Sequence, residues 1–272
     1  MPPSSAKKRK AGNMWSGSSG SPSSSRRKGN NSSRRGGSSS SHHSSGINES
    51  KVEKMFDGLC DEDDSTVADL EGMFRGGLRQ IRVSFSRSSD TTGISKLCEQ
   101  LSLDPYEDVR VLVLLYKLGA NSKPSQITRE EWIEGCHTLK LDSIAKFKAF
   151  LPQLDTGFMA REEFSDFFKF CFQFNRTGTH KTLDKDIVVM LLPMCLGGGR
   201  INANRLKTFI EFLEKTTDAS YSKITLDQWR SFLDFSYEFE DDAALASYDE
   251  DGSAWPVLID DYVEYMEGKR GK

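Results

Sequence analysis

Nucleophilic or metal chemistry has little to work with in this chain. Its 272 residues hold four histidines, of which His42 and His43 stand in a serine-rich stretch, and five cysteines: Cys60, Cys98, Cys136, Cys171 and Cys195. A catalytic thiol needs a base within hydrogen-bond reach, and a metal site needs clustered ligands. Cys136 adjoins His137, but neighbours on a helix point about 100° apart and do not face each other, so one of the two is expected inside and the other outside. Cys98, Cys171 and Cys195 lie within apolar runs and read as core residues. The odd count, wide spacing and lack of a Cys-x-x-Cys pair fit a reducing compartment. Gly197-Gly198-Gly199 lacks the Lys-Ser/Thr that completes a phosphate loop. These patterns point to a protein that is not an enzyme and needs neither a cofactor nor a metal.

Two places resemble eroded calcium loops: Asp90-Thr91-Thr92-Gly93-Ile94 ahead of Glu99, and Asp155-Thr156-Gly157-Phe158 ahead of Glu162 and Glu163. A working loop carries oxygen ligands at positions 1, 3, 5 and 12 around a glycine at position 6. With Gly93 at that position, Ser88, Asp90 and Thr92 supply a single carboxylate before Glu99. With Gly157 there, Pro152 and Leu154 occupy ligand positions. The reading is a helix-loop-helix without its ion. A calcium-responsive helical regulator remains the alternative function.

The elements that must position any site are helical. From residue 51 onward apolar residues recur with a period near 3.6, as in Val111-Leu112-Val113-Leu114-Leu115-Tyr116, and few runs alternate with period two. Short β segments fit only near Ile81–Phe85 and Ser125–Ile127. Thr128 with Glu131 forms a capping box before Trp132, Asp142 precedes Ile144, and Thr225 or Asp227 precedes Trp229. Gly119, Gly178 and the glycines at 197–199 mark helix ends, and Pro193 should kink or stop the helix of Leu183–Leu196 a turn early. The prediction is an all-α fold of nine or ten helices.

Charge divides the chain. Residues 1–50 contain 18 Ser and nine Lys or Arg against one acid, a net of +8, so that the remainder carries −11 of the overall −3. With so little apolar surface, burial cannot offset a backbone ordering cost of about 1–2 kcal/mol per residue, and residues 1–50 are expected to be a disordered basic tail. Lys7-Lys8-Arg9-Lys10 is a run of the kind that nuclear import receptors read. A solvated tail and weak, salt-sensitive phosphate binding are the other readings, and composition does not separate them. No stretch approaches the roughly 18 consecutive apolar residues of a membrane helix, and the first 20 residues lack a secretory apolar region.

Two further features concern partners. The stretch Tyr248-Asp249-Glu250-Asp251-Gly252-Ser253-Ala254-Trp255-Pro256-Val257-Leu258-Ile259-Asp260-Asp261-Tyr262 gathers acids around a Trp-Pro corner. It suits a basic partner surface and equally fits an ordinary last helix with a solvated acidic face. Phe164, Phe167, Phe168, Phe170, Phe172 and Phe174 read as core, with Phe174 where a groove could open.

The motif Trp255-Pro256-Val257-Leu258-Ile259-Asp260-Asp261-Tyr262-Val263-Glu264-Tyr265, after Tyr248-Asp249-Glu250-Asp251-Gly252, resembles the signature of the defective-in-cullin-neddylation family. Leu103-Asp104-Pro105, Leu114-Leu115-Tyr116-Lys117, Leu141-Asp142-Ser143-Ile144 and Phe164 to Phe174 follow the order of its potentiating-neddylation domain. The resemblance implies that domain over residues 90–267, after a helical approach segment at 51–89 and before a short basic tail at 268–272. It implies EF-hand-like helix pairs and a non-catalytic scaffold that promotes cullin neddylation. One implied partner is the winged-helix domain at the cullin C-terminus, met by Asp227, Ala254, Trp255, Asp260 and Asp261. Ser253 is an insertion relative to the family's Gly-Ala-Trp spacing. The other is the neddylation conjugating enzyme, whose acetylated N-terminal Met would enter a pocket of Ile94, Val111, Leu114, Leu115, Ile127, Phe174, Ile187, Leu191 and Met194. A ring-finger ligase subunit would join through the complex. Neither a membrane nor a nucleic acid is an expected partner, and the basic tail implies a nuclear location with the cytoplasm second.

Overall fold

The computed structural model describes residues 46–60, 67–69, 93–241, 243–249 and 255–270. In chain order these form α1 (Glu49–Leu59), β1 (Val67–Asp69), α2 (Gly93–Leu101), α3 (Val109–Leu118), β2 (Gln126–Thr128), α4 (Arg129–Leu139), α5 (Ile144–Phe150), α6 (Arg161–Phe174), β3 (Thr182–Asp184), α7 (Lys185–Leu196), α8 (Ala203–Lys215), β4 (Lys223–Thr225), α9 (Leu226–Glu238) and α10 (Val257–Arg270). The fold is all-α, as the periodicity predicts. Its β content among the described residues is two antiparallel pairs, with Ala68 opposite Ile127 and Leu183 opposite Ile224. Each pair joins the linkers of two successive helix-linker-helix units, which is the EF-hand-like arrangement.

The two halves repeat a local device. Ile127-Thr128-x-x-Glu131-Trp132 and Ile224-Thr225-x-x-Gln228-Trp229 share one spacing. In both, the Thr hydroxyl accepts the backbone N–H three residues on, while that residue's side chain accepts the Thr backbone N–H. This reciprocal cap turns each short strand directly into a helix and sets the following Trp inward. Trp132 Nε1 donates to the Val52 carbonyl of α1 at 3.1 Å and the ring stacks on Phe147. Trp229 Nε1 donates to the Phe168 carbonyl of α6 at 2.9 Å and stacks on Phe168 with centroids 4.2 Å apart. Each half is thus built around a fully buried indole whose one donor is satisfied.

Several boundaries differ from the sequence reading. Pro193 neither stops nor shortens α7, which continues to Leu196. Cys195 and Leu196 bury their side chains beyond it, and that burial outweighs the roughly 3 kcal/mol cost of an interior proline. Ser143, not Asp142, caps α5, its hydroxyl accepting from the Lys146 amide. The segment at Asp155 is not a helix-loop-helix calcium loop but two 3-10 turns, Leu151–Leu154 and Thr156–Phe158. The Asp155 carboxylate there accepts the Gly157 N–H at 2.7 Å, so the strand-linked units lie elsewhere. Among the glycines, Gly119 ends α3 in the left-handed region at φ 81° as expected. Asn175 ends α6, with Gly178 in the loop beyond. The β segment expected at Ser125–Ile127 is present one residue later, as β2; Ile81–Phe85, Ser88–Thr92 and residues 1–45 lie outside the described residues.

Candidate functional site

The acidic corner is organised by Tyr262 of α10. Its ring is fully buried, edge-on to Phe209 at 5.1 Å, and its hydroxyl shares a 2.7 Å hydrogen bond with Thr208 of α8. Fixing one face of α10 inward leaves Asp260 and Asp261, the two residues before it, half-buried at the rim. Each receives a tyrosine hydroxyl: Tyr248 donates to Asp260 and Tyr221 donates to Asp261. Tyr221 comes just before β4 and α9, so its bond ties the N-terminal part of α10 to the segment that presents Asp227. Asp227 is exposed in the first turn of α9, where a negative charge is favoured by the free N–H groups of the helix end. Burial first, then the Asp261 carboxylate, raise the Tyr221 hydroxyl well above its ordinary pKa, so it remains a donor. Trp255 is half-buried, edge-on to Phe235 at 5.9 Å, and Val257 beside it is 66% exposed. The result is a surface with oriented carboxylates and an apolar edge. Ala254 and Ser253 lie outside the described residues.

A second feature opens at the C-terminal end of α6. A recess of about 110 Å³ is lined by Phe170, Gln173, Phe174, Arg176 and the loop from Ala120 to Pro124. That loop is held by one side chain. Glu131 accepts the backbone N–H groups of Asn121, Ser122 and Thr128 at 2.9, 2.7 and 2.9 Å. Burial alone would raise its carboxyl, but these N–H groups outweigh it and hold the pKa below the ordinary carboxylate value. Ser125, with φ 58°, closes the other side by donating its amide to the Phe174 carbonyl at 2.7 Å. Of the nine residues expected around an acetyl-methionine, Phe174 lines this recess. Ile94, Val111, Leu114, Leu115, Ile127, Ile187 and Leu191 are buried in the core, and Met194 is half-buried against it. Sequence reading saw Glu131 only as a capping residue and did not single out Tyr221; their roles come from contacts across the fold.

Three of the thiols are buried in settings that keep them protonated. Cys98 and Cys136 are pushed up to about 12, chiefly by burial, and burial also raises Cys171. Cys136 is buried and His137 half-buried, the division expected of helix neighbours. The described residues contain no group of three His, Cys, Asp or Glu able to hold a metal, and no helix among them is long and apolar enough to cross a membrane.

The Cullin binding family model matches residues 146–265, the stretch that contains Asp227, Trp255, Asp260 and Asp261. The chain is 33% identical over 175 residues to DCN1-like protein 5 of Homo sapiens, covering 64% of this chain and 69% of that protein. It is 34% identical over 177 residues to DCN1-like protein 4 of Danio rerio, covering 65% and 59%, and 31% identical over 180 residues to DCN1-like protein 4 of Drosophila melanogaster, covering 66% and 68%. Helix-pair architecture, an acidic corner inside the matched stretch and 33% identity over 175 residues agree: the chain belongs to the DCN1-like family and carries its cullin-binding domain.

Proposed function

We propose that this protein is a non-catalytic scaffold in cullin neddylation, holding a cullin and the conjugating enzyme together while the enzyme's cysteine and the cullin's lysine do the chemistry. The observation that carries this reading is the acidic corner. Asp260 and Asp261 are oriented by tyrosine hydroxyls, and Tyr221, which holds Asp261, leads through β4 into the helix that exposes Asp227, all within the stretch that matches the cullin-binding model. Oriented carboxylates next to an apolar edge suit a basic winged-helix surface, with charge steering the encounter and Trp255 and Val257 supplying desolvated contact. Ala254, between the acids and Trp255 in sequence, belongs to the same proposed surface.

The second contact is the acetylated N-terminal Met of the conjugating enzyme, an uncharged group suited to an apolar slot. The recess at Phe174 supports this reading through the rings of Phe170 and Phe174, which share its lining with Asn121, Lys123, Gln173 and Arg176. A ring-finger subunit joins through the cullin. The gain in rate is then one of proximity: tethering raises the effective concentration of donor and acceptor and favours attack-ready geometry, with no acid or base from this chain. The basic run Lys7–Lys10 is proposed to direct the protein to the nucleus; alanine at all four positions should redistribute a fluorescent fusion into the cytoplasm.

A single-turnover transfer from the charged conjugating enzyme to a cullin C-terminal domain tests the main reading. The full chain accelerates transfer, and Asp260→Lys and Asp227→Lys each remove the gain. Asp227 is exposed, so its variant separates loss of contact from loss of folding. Unaltered acceleration in both variants refutes the acidic corner as the cullin surface.

A further inference from the structure

A third face is chemically distinct from both features above. An open cavity of about 580 Å³ lies among the start of α6, the link from α7 to α8 and the end of α9. Two guanidinium groups line it. Arg161 lies over the Tyr237 ring at 4.2 Å and Arg200 over the Phe164 ring at 4.3 Å. Stacking on a ring holds a guanidinium in place while leaving its edge N–H groups free to bond. Arg200 uses one nitrogen to donate to the Met159 carbonyl at 3.1 Å, while its buried Nε has no partner among the described residues. Neither arginine forms an ion pair among the described residues. The one acid in the lining is Glu240, which is exposed. Burial raises the Tyr237 hydroxyl above its ordinary pKa, Arg200 and Arg161 both pull it back and exposed Asp234 opposes them, so both positive charges act on one place.

The cavity continues into an apolar groove. A second recess of about 430 Å³ shares Gly199 and Ile201 with it and runs over Leu206 and Ile210 of α8; its lining also includes Lys207, Glu214 and Glu211, the last engaged by Lys269 at 2.6 Å. Cationic and apolar surface are therefore contiguous. The guanidinium cavity lies away from the other two features. Tyr237 is about 15 Å along α9 from Asp227, and Arg161 about 20 Å along α6 from Phe174, at 1.5 Å per residue.

We propose that this face is a docking site for an acidic linear peptide, which sets an aliphatic side chain in the groove at Leu206 and Ile210 and its carboxylates between Arg161 and Arg200. Charge complementarity selects the occupant: two unpaired, ring-held guanidiniums favour paired carboxylates geometrically as well as electrostatically. Because the site is remote from the acidic corner and the Phe174 recess, it admits a further partner while both are occupied, and it stands whether or not the scaffold reading does.

The test uses the full chain labelled with ¹⁵N and two synthetic probes, acetyl-Leu-Gly-Glu-Glu-amide and its Lys-Lys counterpart. The acidic probe should give saturable amide shifts at Gly199, Ile201, Asn202 and Tyr237, and the basic probe at least about tenfold weaker binding. Arg161→Gln, an exposed substitution that leaves the core intact, should weaken the acidic probe about tenfold. Ile210→Asp should weaken it as well, and raised salt should do the same. The proposal is overturned by equal binding of the two probes, by unchanged affinity in Arg161→Gln, by shifts that fall elsewhere, or by no saturation below about 10 mM, a limit beyond weak peptide recognition.

Discussion

Glu131→Gln isolates the clamp that shapes the Phe174 recess. In the native chain one carboxylate oxygen takes the Asn121 and Ser122 amides and the other takes Thr128. Glutamine is nearly the same size and keeps one acceptor oxygen, so the variant loses at least one backbone bond and the charge that strengthens the rest. A hydrogen bond to a charged group is worth about 1.5–3 kcal/mol, and the lower end applies because Glu131 is only half-buried and screened by solvent. The expected loss is about 2 kcal/mol, or about 4–8 °C in Tm for a domain of this size. Amide exchange at Asn121 and Ser122 should quicken more than exchange in the helices.

The pH dependence supplies a second arm. Because the folded pKa of Glu131 lies below its unfolded value, its contribution is complete above the unfolded pKa of about 4.3 and disappears as pH falls through the folded one. The stability gap between wild type and Glu131→Gln should therefore be widest near neutrality and narrow in acid. A Tm change under about 1 °C with unchanged exchange at Asn121 and Ser122 would refute the clamp.

Trp132→Phe and Trp229→Phe should each cost about 2–4 kcal/mol in denaturant unfolding, since each loses an indole donor to a buried carbonyl and leaves unfilled volume. A large cost at only one would break the equivalence of the two halves. Gly135→Ala should destabilise by at least about 2 kcal/mol, because an added Cβ would stand 2.4 Å from the Leu118 carbonyl oxygen, backbone that cannot step aside. Pro193→Ala should stabilise by about 1–2 kcal/mol, restoring an amide donor to α7 less the entropy returned to the unfolded chain; a lower Tm would contradict this. At pH 8 a thiol reagent should leave Cys98 and Cys136 unmodified in the native protein and reach them in denaturant; mass spectrometry after digestion reads this directly.

Much of the fold is legible in the sequence because its signals are local. Thr128 with Glu131 announces a helix start through bonds only three residues long, and of the two starts open at Thr225 or Asp227 the structure selects Thr225, capped with Gln228. The inward set of Phe164 to Phe174 follows from helical spacing alone. Pro193 shows where local reasoning fails: the proline penalty is visible in the chain, whereas the burial of Cys195 and Leu196 that outweighs it exists only once α7 meets its neighbours. The supposed loop at Asp155 failed similarly, its carboxylate serving a single turn while the strand pairs formed elsewhere.

The sequence by itself determined the helical class, the reciprocal caps, the concentration of acids near Trp255 and the family likeness, because each is written in residues close together or in a fixed order. Tertiary structure alone decided that Tyr221 serves Asp261, that Glu131 gathers a loop ten residues upstream and that Arg161 and Arg200 open on one cavity. Those pairings join positions up to 40 residues apart. No local propensity specifies such contacts; they arise when burial of the two indoles and the phenylalanine run fixes how the helices cross.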